Sequence, residues 1–188
     1  MNKEQTPFDK WCKFNPYKIY DDPKHKKILN FYLWSCPSSD TAYGAKTFEE
    51  LGWEKPQQYK ILKTYFRSNN IPFVSTTEKD IESELCKHNQ SEKHSFCETI
   101  VFVKRTSGQI DEVFRSIRNA LAHGSFCIEE KEGDDFFYFF ESRYNETKKK
   151  SQTEKTNVRI KKINARSVLK SNTLVALINK VKNGPKGR

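Results

Sequence analysis

A chain of 188 residues has the length of one ordinary domain with room for an appendage, enough to bury a sizeable core. Apolar residues make up 35% and charged residues 31%, so the core is expected to be modest and rich in Phe, Tyr and Trp, and no run approaches the roughly 20 residues of a transmembrane span. The polar start has no signal-peptide core, and five cysteines without framework spacing suit a reducing cytoplasm.

In chain order, Asp22 and Pro23 suit an N-cap and a first helical residue, opening a helix through Ile28, Leu29, Tyr32 and Leu33 that stops before Pro37. Pro37 to Gly44 reads as a turn-rich boundary. Thr47 to Leu51 is expected to be a short helix ended by Gly52. Pro56 opens another, with Tyr59, Leu62, Tyr65 and Phe66 on one face, ending by Asn70 before Pro72. Residues 1–72 are read as an N-terminal helical extension, and residues 73–184 as the main domain. Thr77 with Asp80 has the form of a capping box, with Asp in place of Glu, and leads a helix to about Lys87. Glu92 to Lys104 suits a further helix, although Thr99-Ile100-Val101-Phe102-Val103 equally suits a strand.

The next segment is the clearest. Ile110, Val113, Phe114, Ile117 and Leu121 recur with helical spacing and form one apolar stripe. At about 100° per residue from Ile110, Arg118 falls at ~80°, Arg115 at ~140°, Asn119 at ~180° and His123 at ~220°. The polar groups therefore lie on the side and back of the helix, off its own core. Asn119 and His123 are i,i+4 neighbours, as are Arg115 and Asn119. Gly124 suits the left-handed residue that closes a helix, which puts His123 in the last turn. A cation, an amide and an imidazole thus stand within six residues, able to grip a phosphate and move a proton without a metal. The plainer alternative is a solvated helix face with a capping histidine.

After this helix, Cys127-Ile128-Glu129, a Glu132-Gly133-Asp134 turn and aromatic Phe136 to Phe140 read as a β-hairpin. Asn145 to Asn157 is polar throughout and reads as a flexible excursion. Val158-Arg159-Ile160 is strand-like, and a terminal helix from Asn172 carries a stripe of Leu174, Val175, Leu177, Ile178 and Val181. From Gly184 the chain is expected to be loose. The net charge of +10 is concentrated here, because residues 148–188 hold thirteen of the 34 Lys and Arg but one of the 24 acids. Arg115, Lys148, Lys149, Lys150, Lys161, Lys162 and Arg166 are the candidate phosphate contacts, the alternative being a solubilising tail.

Two other groupings stand out. Phe48 to Leu51, the Gly52 turn and the helix from Pro56 suggest a helix-turn-helix, or simply two packed helices. Cys86, His88, His94 and Cys97 gather four zinc-type ligands at an unusual spacing, and the cysteines equally suit a helix core. Cys127 follows the motif but begins a strand, so it reads as packed and not nucleophilic. Lys104 and Arg105 precede the motif helix without a fixed place. No Walker loop, dinucleotide fingerprint or Gly-x-Ser-x-Gly elbow is present, and no cofactor or metal is expected.

Arg118-Asn119-x-x-x-His123 resembles the arginine-to-histidine signature of the HEPN superfamily, in the form where a polar residue follows the arginine. The run Ile117-Arg118-Asn119-Ala120-Leu121-Ala122-His123-Gly124-Ser125-Phe126 is similar to a bacterial subfamily in which the helix leads into a β-hairpin. The likeness covers residues 75 to 184. It implies a mainly α fold, a HEPN-like helical bundle with a small C-terminal β-hairpin or sheet and a terminal helix. It also implies metal-independent cutting of RNA, with His123 transferring the proton, Arg118 stabilising the charged phosphorus and Asn119 orienting either. One such histidine per chain implies a homodimer with a composite site. An antitoxin or defence partner, and a toxin or phage-defence role, are further implications. The alternatives are a non-catalytic RNA- or protein-binding module and a DNA-binding regulator.

Overall fold

The computed structural model describes residues 22–37, 46–53, 57–89, 97–103, 109–130, 135–148 and 158–185. Asp22 caps the first helix as expected: its carboxylate accepts from the amides of Lys24 at 2.6 Å and His25 at 3.3 Å. Helix α1 spans Pro23–Asn30 and runs on as a π-helical turn, Phe31–Ser35. The expected short helix at Thr47 is one hydrogen-bonded turn over residues 48–52, and not the first half of a helix-turn-helix. Phe48 and Trp53 at its ends are buried, and Trp53 Nε1 donates to the Val181 carbonyl at 3.0 Å. Helix α2, Gln57–Ser68, buries Leu62 and Phe66.

Strand β1 is Phe73–Thr76, and helix α3 is Ile81–Asn89. The α3 cap falls on Asp80, whose carbonyl accepts from Glu84 at 2.9 Å, with Thr77 bonded to the Asp80 carboxylate in the turn before it. Strand β2 is Thr99–Val103, helix α4 is Gln109–Ala122 and strand β3 is Phe126–Glu130. Strands β4, Phe136–Lys148, and β5, Val158–Lys170, are each 13 residues long and lead into helix α5, Ser171–Asn183.

The strands form one mixed sheet in the order β1-β2-β5-β4-β3, with β1 parallel to β2 and the other neighbours antiparallel. Alternate residues feed two cores, one on each face. Ile100, Phe102, Tyr138, Phe140 and Leu169 join the helical side with Ile28, Phe31, Tyr32, Leu62, Phe114, Ile117 and Leu177. Val101, Phe137, Phe139 and Val168 meet Ile81 and Leu85 of α3 on the other. The centre of the helical side is Phe114, whose ring lies 5.5 Å from Phe48 and 5.9 Å from Tyr32, centroid to centroid. Residues from the segment before Pro72 therefore share a core with α4 and α5.

This α/β architecture corrects the expectation of a mainly α helical bundle with a small hairpin. Four residues of β1 are too few to show a period. Thr99 to Phe102 are all buried, so β2 is a strand covered on both faces and shows no alternation. The polar stretch from Asn145 continues β4, with Asn145 opposite Lys161 and Lys148 opposite Val158. One irregularity interrupts the pairing of β4 with β5: Ser142 faces Ala165 but Arg143 faces Ile163, leaving Asn164 unopposed as a bulge.

The stripes of α4 and α5 are as expected, with Val113, Phe114, Ile117, Leu174, Leu177, Ile178 and Val181 all fully buried. Residues 38–44 of the expected boundary, Pro56, the turn at Glu132-Gly133-Asp134, residues 149–157 and the end from Lys186 lie outside the described residues. Among the described residues no helix is long and apolar enough to cross a membrane.

Candidate functional site

The apolar stripe of α4 turns its last polar residues toward the edge of β4, and a closed cap fixes them there. The Gly124 amide donates to the Leu121 carbonyl at 3.2 Å, and the Ser125 amide to the Ala120 carbonyl at 2.8 Å. That double bond is the Schellman arrangement, which needs a left-handed residue, and Gly124 has φ +66. His123 is thus the last residue before the reversal and is exposed. The Ser125 carbonyl then accepts from the Glu141 amide at 2.9 Å, fastening the cap to β4.

β3 stops pairing at Phe126 opposite Phe140, while β4 runs on with β5 alone among the described residues. A cleft of about 270 Å³ opens at that place, lined by Asn119, His123, Ser125, Glu141, Arg143, Tyr144 and Lys161. Its volume is near the lower end of ligand pockets, roughly 300–1,000 Å³. Arg143 and Lys161 are its exposed cations.

Beneath the cleft lies a network of charges. Buried Glu141 takes Arg166, its cross-strand neighbour, through Nε at 3.0 Å and Nη2 at 2.7 Å on Oε2. Its other oxygen, Oε1, holds Arg143 through Nε and Nη2. Arg166 is also paired with Glu82 of α3. The Tyr144 hydroxyl donates to Glu78 Oε1, and Lys162 Nζ sits 2.9 Å from Glu78 Oε2. Each carboxylate in this network therefore faces a cation or a donor, as partly buried charge requires.

The expected site residues divide. Asn119, His123 and Lys161 come together in the cleft. Arg118, half-buried, does not line it. Its charge bears instead on Cys36, where burial pushes the thiol up and the guanidinium opposes that shift. Arg115 is half-buried and lies 3.7 Å from Glu112. Lys162 and Arg166 are held by Glu78 and by Glu82 with Glu141, and the described residues of the basic C-terminal segment lie mostly in β5 and α5. Lys170, Lys180 and Lys182 lie over the rings of Phe137, Tyr65 and Phe31. Lys148 ends β4, and Lys149, Lys150, Lys104 and Arg105 lie outside the described residues.

Among the described residues no three His, Cys, Asp or Glu side chains gather to hold a metal. Of the four zinc-type ligands, Cys86 and His88 are half-buried on α3, Cys97 is exposed, and His94 lies outside the described residues. Cys127 is buried in the core on the α3 side, as its strand position suggested.

No family model, curated protein or solved structure matches the chain. The likeness to the HEPN signature therefore rests on the motif residues alone.

Sequence reasoning missed Ser125, Glu141, Arg143 and Tyr144. A signal for them exists in the aromatic run Phe136 to Phe140. Extending its two-residue alternation puts Glu141 and Arg143 on the face of Phe137 and Phe139, where an unaccompanied buried acid would require a cation.

Proposed function

We propose that the protein is an endoribonuclease acting in the cytoplasm, which cuts RNA by attack of a 2′-hydroxyl on the adjacent phosphorus. The observation that carries this reading is the shared cleft of His123, Asn119, Arg143 and Lys161. In the reaction a bond forms between O2′ and phosphorus while the bond to O5′ breaks. The products are a 2′,3′-cyclic phosphate and a 5′-hydroxyl. One proton must leave O2′ and another must reach O5′, and an imidazole is the side chain whose charge ordinarily changes nearest neutral pH. His123 makes one of these transfers. Arg143 and Lys161 offset the charge that builds on the phosphoryl oxygens. Asn119, one helical turn before His123, orients the imidazole or a phosphoryl oxygen. None of these steps requires a metal. The toxin or phage-defence setting is what the motif likeness implies for such an activity.

A second reading has an observation of its own. Arg118, half of the motif, does not line the cleft, which favours a module that holds RNA without cutting it. One assay separates the two: labelled single-stranded RNA with purified protein in EDTA, beside His123→Ala. The ribonuclease reading expects cleavage by the wild type and a loss of about 10²–10⁴-fold in the variant. Cleavage abolished by EDTA, or undiminished in His123→Ala, would falsify it. RNA bound in a salt-sensitive way but left intact favours the module.

A further inference from the structure

Taking the substrate from the ribonuclease reading, we infer that helix α2 and the groove between its end and β1 form a second contact surface for single-stranded RNA. Lys60, Lys63 and Arg67 hold its phosphodiester backbone there. From Lys55 to Thr77 the sequence has four Lys or Arg and no Asp or Glu. At about 100° per residue the three cations of α2 fall within about 60° of one another, so they form one stripe, and all three are exposed. Like charges three and four residues apart destabilise a helix. The negative end of the helix favours Arg67 in its last turn, but no acid of the helix offsets Lys60 or Lys63. In the cleft network the cations Arg143, Lys162 and Arg166 each rest on a glutamate. Among the described residues none of the three on α2 has a carboxylate partner.

The groove measures about 550 Å³ and mixes three chemistries: the cations Lys63 and Arg67, the polar Asn70 and Ser75, and the apolar Pro72 and Phe73. Phe73 is held in place, stacked on Phe66 at 5.3 Å and 4.9 Å from Phe102, centroid to centroid. The neighbouring Asn69 spends its amide on the Tyr65 carbonyl at 2.8 Å. Asn70, the left-handed residue at φ +53, is exposed, and so is Ser75. Neither side chain has a hydrogen-bond partner among the described residues. An acidic peptide would use the cations alone. A nucleotide uses all three, with its phosphate on the cations, its ribose and base edge on the amide and hydroxyl, and its base against the apolar part.

Groove and cleft are joined by one row of the sheet. Ser75 lies opposite Phe102, Phe102 opposite Ala165, and Ala165 opposite Ser142, which stands between Glu141 and Arg143 of the cleft. Three strand spacings are about 14 Å, a distance that a few nucleotides of extended strand cover. A long strand can therefore fill both places at once, whereas a dinucleotide in the cleft does not reach the groove.

The test uses the full chain and a long single strand that 2′-O-methylation makes uncuttable, with the unmethylated strand and a dinucleotide for turnover. Lys63→Ala with Arg67→Ala is expected to weaken binding of the methylated strand and to lower its log–log salt slope by about 1.4, two phosphates at about 0.7 each. The same variant is expected to lower kcat/KM on the long strand and to leave dinucleotide cleavage and the urea midpoint unchanged. Lys87→Ala, exposed on α3 across the sheet, is expected to leave the slope as it is. An unchanged slope in the double variant, an equal fall in Lys87→Ala or a matching loss on the dinucleotide overturns the inference. Poly-glutamate bound as tightly as the RNA at the same salt also overturns it, and assigns the stripe to an acidic protein. A wild type that binds the long strand but cuts neither substrate sinks the ribonuclease reading and leaves this surface standing. One that binds no strand at all sinks both.

Discussion

Glu141 is the residue on which the charged side of the sheet depends, and Glu141→Leu is the perturbation that tests it. The carboxylate is 3% exposed and holds Arg166 through two contacts, and Arg166 is itself 6% exposed. Removing one partner of a buried ion pair costs about 3–5 kcal/mol, because the other charge is left unmatched. Two features move the expectation to the lower end. Arg166 keeps Glu82, and Arg143 can turn its half-exposed guanidinium into water. A loss of about 3 kcal/mol follows. With a urea m-value of about 2 kcal/mol/M, the unfolding midpoint falls by about 1.5 M. The double variant Glu141→Leu with Arg166→Met removes the unmatched charge and leaves Glu82, whose side chain is 36% exposed, to be hydrated. It is expected to recover at least half of the loss, a coupling of about 1.5 kcal/mol or more between the two sites. Urea unfolding followed by tryptophan fluorescence measures all of these. A single-variant loss below about 1 kcal/mol, or a double variant as unstable as the sum of the singles, refutes the reasoning.

Other expectations follow from the core and the cap. His25 is buried against Tyr138 and Phe136, and burial holds its pKa below the ordinary 6.5. The unfolded chain therefore takes up the proton first, so stability present above about pH 6.5 falls as the pH drops toward the folded value. Urea midpoints between pH 7.5 and 5 should show this slope and lose it in His25→Gln; equal slopes would overturn it. Phe114→Ala should cost about 3–5 kcal/mol, against under about 0.5 for Ile61→Ala, whose side chain is 37% exposed. At Gly124 nothing lies within 4 Å of where a Cβ would stand, so Gly124→Ala pays only for its φ of +66. That costs about 1 kcal/mol, a drop of roughly 2–4 °C in Tm; no change in the melting curve would count against the cap geometry.

How far the sequence reaches depends on whether a signal is local. The α4 stripe, the Asp22 cap and the α5 stripe are complete within a dozen residues, and each stands in the structure as read. Arg166 shows the opposite case. Its charge suggests a phosphate contact, but its carboxylates sit 25 and 84 residues upstream, at Glu141 and Glu82. No local pattern names them. The strands β4 and β5 fail for a related reason: their outer halves pair through the backbone across the sheet, without the apolar alternation that marks a strand. Arg118 and His123 lie in between. Five residues separate them, about 140° around the helix, so they face different ways whatever the fold. Which of the two meets a cleft is decided by the β4 edge, and that edge lies beyond residue 135.

The fastening of Ser125 has a dynamic consequence. Helix ends commonly fray, and their last amides exchange with solvent through small local openings. Here the Ser125 amide belongs to α4 through Ala120, and its carbonyl belongs to the sheet through Glu141. The final turn of α4 cannot unwind without releasing an amide of β4. The amides of His123, Gly124 and Ser125 should therefore exchange deuterium on the timescale of the β4 strand and not that of a loose terminus. The imidazole is carried on a part of the chain that opens only when the sheet does.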